Sequence, residues 1–234
     1  MPSKNTLKTY IEKSFYHVYN RGVEKRDIFL DEKDFRVFLY FLKSYLLPKE
    51  KLIEAIKENK QLNFKQKTEM VIKISRVKNF NKKIKLLCFC LMKNHYHLLI
   101  YQENKDDLEL FMRALNTRYS QYFNKKYDRV GHLFQGRYKA VLIENEEQFL
   151  HISRYIHNNP KEILSSSQSL ISYPWSSYPF YVKNLNVDWI EKDLILSYFK
   201  KTNGYGFSSY QGFIEGYKEK SEEESSFYKE LLID

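Results

Sequence analysis

The sequence predicts an α+β protein: an antiparallel sheet with helices on one face, then a further helix and a helical C-terminal extension. Three observations predict it. Short runs of strand character alternate with longer stretches of helical periodicity, in the order strand, helix, strand, strand, helix, strand. The two middle strands are separated only by Lys93-Asn94, which reads as a hairpin turn. Apolar residues reach 43%, while Gly and Pro number 7 and 5, which argues against a disordered or fibrous chain.

Residues 13–20, KSFYHVYN, read as a strand ended by Arg21-Gly22. Residues 31–46 read as a helix with Phe35, Phe38, Leu39 and Leu42 as its apolar stripe, closed by Pro48. The lysine-rich stretch 49–83 has a helical pattern, two short helices that look like an insertion. Residues 84–92 form an apolar run of buried-strand type, and 95–102, HYHLLIYQ, form its return strand. A helix is expected at about 106–124, where Leu108, Phe111, Leu115, Tyr119 and Tyr122 trace one stripe. A glycine-bounded basic loop then leads to a strand at 137–143. The next helix, about 146–157, opens on Asn145 with Gln148 three residues on, the pattern of a capping box, and ends at Pro160. Residues 161–186 read as loop and 187–234 as an amphipathic helical extension that turns acidic. The order β-α-β-β-α-β is that of a ferredoxin-like core, with 1–186 as the main domain.

Charge is unevenly spread. The chain carries +10 in all, but residues 187–234 are net −4, which leaves +14 on the other 186 residues. So basic a body, with 20 Tyr and 17 Phe, suits a polyanionic partner whose bases can stack on aromatic rings. Cys88 and Cys90 share a strand face and read as packed small hydrophobes, not as a metal knuckle. No signal peptide or long uncharged apolar stretch is visible, so a cytoplasmic protein with no membrane partner is expected.

Two features can carry chemistry. His95 and His97 alternate with Tyr96 on a strand, so both imidazoles face one way, with their Cα atoms roughly 6.6 Å apart, and Tyr96 faces the helices. Taken alone, a His-x-His pair is weak evidence for a metal. On the 146–157 helix, Phe149, Ile152 and Ile156 face the core, while His151, Tyr155 and Asn159 lie four apart on an adjacent stripe. A phenol with a pKa near ~10 is a weak nucleophile, so its attack on a phosphodiester needs a cation on the phosphate oxygens. Two imidazoles and one amide oxygen can hold Mg²⁺ or Mn²⁺ and leave positions open for phosphate and water. Tyr119 is the rival nucleophile, but its apolar stripe argues for packing.

The segment MKNHYHLLI resembles the histidine–hydrophobe–histidine (HUH) signature of single-tyrosine transposases. YHVYNRG, GHLFQGRYKA and YIHNNP resemble further blocks of that family, and the REP-associated tyrosine transposases are the branch most like this chain. The resemblance spans residues 13–180. It implies that His95, His97 and Asn159 are metal ligands and that Tyr155 is the nucleophile. It implies cleavage and rejoining of single-stranded or hairpin DNA through a 5′-phosphotyrosine with a free 3′-hydroxyl, and in some members a homodimer. Arg21, Arg118, Arg137 and Lys139 are expected to converge on the site as phosphate contacts. Two other readings compete: a non-catalytic single-strand-binding module on the same sheet, and a metal-dependent nuclease that uses water.

Binding is expected to favour single strands or hairpins over plain duplex and to weaken steeply between about 50 and 200 mM salt, because phosphate contacts release counterions. Titration of labelled oligonucleotides against salt checks this, and salt-insensitive binding contradicts it.

Overall fold

A computed structural model describes residues 10–165, 167–200 and 207–216. Its centre is a four-stranded sheet of Ser14–Arg21 (β1), Ile84–Met92 (β2), His95–Gln102 (β3) and Lys139–Ile143 (β4). The strands lie in the order β2-β3-β1-β4, each antiparallel to its neighbour. This is the ferredoxin-like arrangement expected from the sequence. Glu32–Leu46 (α1), Lys49–Glu58 (α2) and Phe64–Arg76 (α3) connect β1 to β2. Asp107–Lys126 (α4) connects β3 to β4, and Glu146–Asn158 (α5) follows β4.

Strand alternation sorts the two faces. Tyr16 and Val18 pair with Ile100 and Leu98, and all four are buried under α1 and α4. Tyr96 joins them, its ring against Phe38 of α1 at 5.1 Å and its hydroxyl donating to Asn116 of α4 at 2.8 Å. The other face carries Phe15, His17, Tyr19, His95 and His97. There α5 lies across the sheet, with Phe149 against Phe15 at 4.8 Å. The expected Phe149, Ile152 and Ile156 stripe is buried.

Local signals explain the helix starts. Asn145 accepts the Gln148 N–H at 2.8 Å, while Gln148 reaches back to the Glu144 N–H, one residue earlier than a capping box requires. At α1 a reciprocal box joins Asp31 and Asp34. Asp34 does more than cap. Its fully buried carboxylate also accepts from Lys126, Tyr122 and Tyr127 at 2.7 to 2.9 Å, which fastens the end of α4 to the start of α1. Burial alone would raise the Asp34 carboxyl. The Lys126 ammonium and the tyrosine hydroxyls outweigh it and hold the group below the usual carboxylate range.

Several expectations change in detail. β4 begins at Lys139, so Arg137 precedes the strand. Tyr122 and Leu39 are only partly buried, and Met112 and Phe123 complete the α4 core stripe instead. Residues 161–186 are not simply loop. They contain a 3-10 turn at Leu170–Ser172 and the short helix Tyr178–Val182 (α6). Within the expected extension, the described residues form Asp193–Leu196 (α7) and Tyr210–Glu215 (α8). The acidic end, 217–234, lies outside the described residues. Gly22 is required where β1 ends: a Cβ there would stand 2.2 Å from the Arg26 carbonyl oxygen.

Asp34→Ala is expected to destabilise the fold by about 1–3 kcal/mol, because it removes the acceptor of the Leu30 N–H and of the Tyr122 and Tyr127 hydroxyls, while Lys126 keeps Asp31. Because the folded carboxyl is depressed, its contribution is present above the ordinary carboxylate pKa and is lost as the pH falls below about 4. Denaturant unfolding of both proteins at neutral and acidic pH measures the two effects.

Candidate active site

β3 presents both site histidines to α5. His95 stands opposite Arg21 and His97 opposite Tyr19 in the β1 pairing, so all four side chains leave the same face. At the far end of α5 the helix tightens into a 3-10 turn at Asn159–Glu162, with Pro160 inside it. That turn carries the Asn159 amide inward, 6% exposed, until its Oδ1 is 3.1 Å from His95 Nε2. Tyr155, one turn earlier and half-buried, sets its ring edge-on to His97 at 5.2 Å. Four of the predicted residues, His95, His97, Tyr155 and Asn159, therefore meet at one place.

The protonation pattern of the cluster bears on a cation. His95 Nδ1 lies 2.6 Å from Asn94 Oδ1, an atom that only accepts, so Nδ1 carries the proton. In the neutral ring Nε2 is then a lone pair, and it faces Asn159 Oδ1, another acceptor. His95 Nε2 and Asn159 Oδ1, 3.1 Å apart, can both offer a lone pair to one cation. His97 is buried beside two other imidazoles, and burial followed by these neighbours holds it well below the usual histidine range. A neutral imidazole is the ligating form. Among the described residues no group of three or more His, Cys, Asp or Glu converges on a metal position. The donor set here is two imidazoles and an amide, which fits a cation that keeps positions open for substrate oxygens.

The four predicted basic residues do not converge. Arg21 and Lys139 border the site: Arg21 is opposite His95 and bonds Gln135 at 2.8 Å, and the Lys139 ammonium lies over the Tyr19 ring at 5.5 Å. Arg118 and Arg137 lie on the α4 side of the sheet. Arg118 stacks over Phe41 at 4.1 Å, and Arg137 pairs with Glu109 at 3.0 Å. An open groove of about 700 Å³ runs there between α4 and the 131–138 loop, lined by Arg113, Asn116, Gln121, His132 and Arg137. The reason for the split is that α4 sits across the sheet from the histidines.

Tyr119 is fully buried between the helices and the sheet, and its hydroxyl donates to the Ile28 carbonyl. Burial, then the nearby Asp34 carboxylate, pushes that phenol far above its ordinary value. It is a packing residue, as its stripe indicates.

Two features escaped the sequence reading. His17 is buried on β1 with Nε2 2.9 Å from His97 Nδ1. The alternation rule applied to YHVYNR would have placed His17, Tyr19 and Arg21 on one face. The second is the fastening of α5. His157 bonds through Nδ1 to Tyr210 of α8 and through Nε2 to Ser177, both at 2.7 Å, and Ser177 accepts the Phe89 N–H of β2 at 2.8 Å. No pattern in sequence joins residues so far apart.

Fold and cluster together define a four-stranded α+β protein with a histidine–amide–tyrosine site on the face under its last core helix. The family model for IS200-like transposases matches residues 48–159, a span that contains His95, His97, Tyr155 and Asn159. A REP-associated tyrosine transposase, solved bound to a REP hairpin, shares the fold at TM-score 0.51 and 14% identity, covering 80% of this chain and 90% of that one. A candidate transposase from Deinococcus radiodurans, also 14% identical, covers 66% of this chain and 96% of its own at a TM-score of 0.35, too low to carry weight. No curated protein sequence matches. The family match and the fold bear out the single-tyrosine transposase resemblance read from the sequence. Among the described residues no helix is long and apolar enough to cross a membrane.

Burial pushes the His157 imidazole down to about 3, against about 6.5 in the unfolded chain. A depressed folded value means that stability is complete above about 6.5 and falls as the pH drops from there towards 3. His157→Gln is expected to lower stability at pH 7 and to flatten the loss between pH 6.5 and 3. Unfolding midpoints across that range check it.

Proposed function

We propose that the protein cuts and rejoins single-stranded DNA with Tyr155 as nucleophile, in the manner of a single-tyrosine transposase. The observation that carries this is the meeting of Tyr155 and Asn159 with His95 and His97, with His95 and Asn159 in contact across 64 positions of sequence. A non-catalytic binding module has no use for facing acceptors beside a half-buried phenol.

The chain's own groups divide the work. Tyr155 supplies the oxygen that forms the new bond to phosphorus. The phosphorus–O3′ bond breaks, leaving a 5′-phosphotyrosine on the protein and a free 3′-hydroxyl on the departing strand. A 3′-hydroxyl reverses the step in rejoining, and bond energy is kept in the covalent intermediate. His95, His97 and Asn159 would hold Mg²⁺ or Mn²⁺, which supplies polarisation of the phosphate oxygens. Arg21 and Lys139 flank the site and fit the strand's phosphates, while the groove with Arg113 and Arg137 offers a polyanion a second track on the opposite side. The hairpin bound by the REP-associated relative supports DNA as the partner class.

Incubation with a labelled single-stranded hairpin and Mn²⁺, then denaturing electrophoresis, tests the proposal. Wild type is expected to form a covalent adduct that chelator abolishes. Tyr155→Phe removes only the hydroxyl, so it is expected to bind DNA and form no adduct, and Tyr119→Phe is expected to form one. His97→Ala is expected to lose cleavage by at least ~100-fold, the scale of a lost electrostatic contact at the reacting phosphate. Hydrolysis by Tyr155→Phe at the wild-type rate would establish water as the nucleophile and end the tyrosine mechanism.

A further inference from the structure

We propose that His17 is a positioning residue, which fixes His97 in the one tautomer that leaves its Nε2 lone pair available to a divalent cation. This rests on the metal reading above. It concerns a residue outside the span of the family match, which begins at residue 48.

The geometry is specific. His17 Nε2 and His97 Nδ1 are 2.9 Å apart, a full hydrogen bond. The ring centroids are 5.1 Å apart and the planes differ by only 19°. Those values together describe two rings lying edge to edge in nearly one plane, joined through facing nitrogens. A single proton lies between them. If His97 donates it, Nδ1 carries hydrogen and Nε2 is a lone pair. If His17 donates it, a neutral His97 must carry hydrogen on Nε2 and is no ligand. A histidine that binds metal through one nitrogen commonly donates its other N–H to an acceptor behind it, which sets both tautomer and ring orientation.

His95 is arranged in the same way, with Asn94 Oδ1 behind its Nδ1 at 2.6 Å. Each predicted ligand histidine thus has one partner at Nδ1, which leaves its Nε2 for a ligand, and His95 Nε2 faces Asn159. His17 is well placed to hold its ring still. It is fully buried on the central strand, paired with Leu99 on one side and Val141 on the other. Tyr19 lies against it at 5.0 Å, and the Tyr155 ring meets it edge-on at 5.9 Å. The His17–His97 pair therefore also forms the surface on which the Tyr155 ring rests.

The test is Mn²⁺ binding by the full chain, followed by electron paramagnetic resonance with no DNA present. His17→Gln keeps an oxygen able to accept from His97 Nδ1, whereas His17→Phe keeps a ring and has no acceptor. His17→Phe is expected to weaken Mn²⁺ binding by ~10–100-fold, and His17→Gln to restore it towards wild type. A merely structural role would lower the melting temperature of the metal-free protein and leave Mn²⁺ affinity unchanged, and that result overturns the proposal. Wild type that binds Mn²⁺ and loses it in His97→Ala upholds the metal site whatever His17 does. Wild type that binds no Mn²⁺ removes both. If His17→Phe does not fold, nitrogen NMR of the Mg²⁺-loaded wild type decides: coupling across the bond with the proton on His97 Nδ1 supports the proposal, and a proton on His17 Nε2 overturns it.

Discussion

The antiparallel pairing of β1 with β3 is the constraint on which the site depends. Arg21 opposite His95 and Tyr19 opposite His97 put every polar group of the site on one face. A slip of one residue would send both histidines beneath α1 and α4 and turn Tyr96 outwards. What resists the slip is the other face. Tyr16, Val18, Leu98 and Ile100 are buried there, and the Tyr96 hydroxyl has its partner in Asn116. The apolar side of the sheet thereby sets the geometry of its chemical side.

Most of the core was legible in the sequence because it follows from periodicity. Period-two alternation placed His95 and His97 together and sent Tyr96 the other way. Period-3.6 spacing put Phe149, Ile152 and Ile156 inside and left Tyr155 and Asn159 on the neighbouring stripe. What was not legible required knowledge of neighbours across space. The split of Arg118 and Arg137 from Arg21 and Lys139 depends on which side of the sheet α4 packs, and local pattern does not encode that. His17 stood in a recognised strand, but only the pairing register reveals that it lies beside His97. The turn-rich stretch around Trp175 read as loop because its order comes from backbone bonds to β2, not from its own propensity.

Helix α5 has two tasks. Towards the histidines it turns Tyr155, with Asn159 in the 3-10 turn just beyond it, and its remaining buried residues include Phe149, Ile152, Ile156 and His157. His157 joins the helix to α8 and, through Ser177, to β2, so part of the C-terminal extension serves as a brace for the helix that bears the nucleophile. A phenol activated mainly by alignment needs such a brace, since a shift of the order of 1 Å can cost about 10²-fold in rate.

The segment around Trp175 has a consequence for how copies of the chain can meet. Leu91 donates to the Trp175 carbonyl and Ser177 to the Phe89 carbonyl, so the outer backbone of β2 is already engaged. The opposite edge, β4, is five residues long and begins with exposed Lys139. One border of the sheet is capped by its own chain, and the other is short and led by a charge. Both are features that discourage strand-to-strand joining between molecules. Among the described residues, both borders of this hydrophobic sheet are thus poorly suited to growing into a neighbour's.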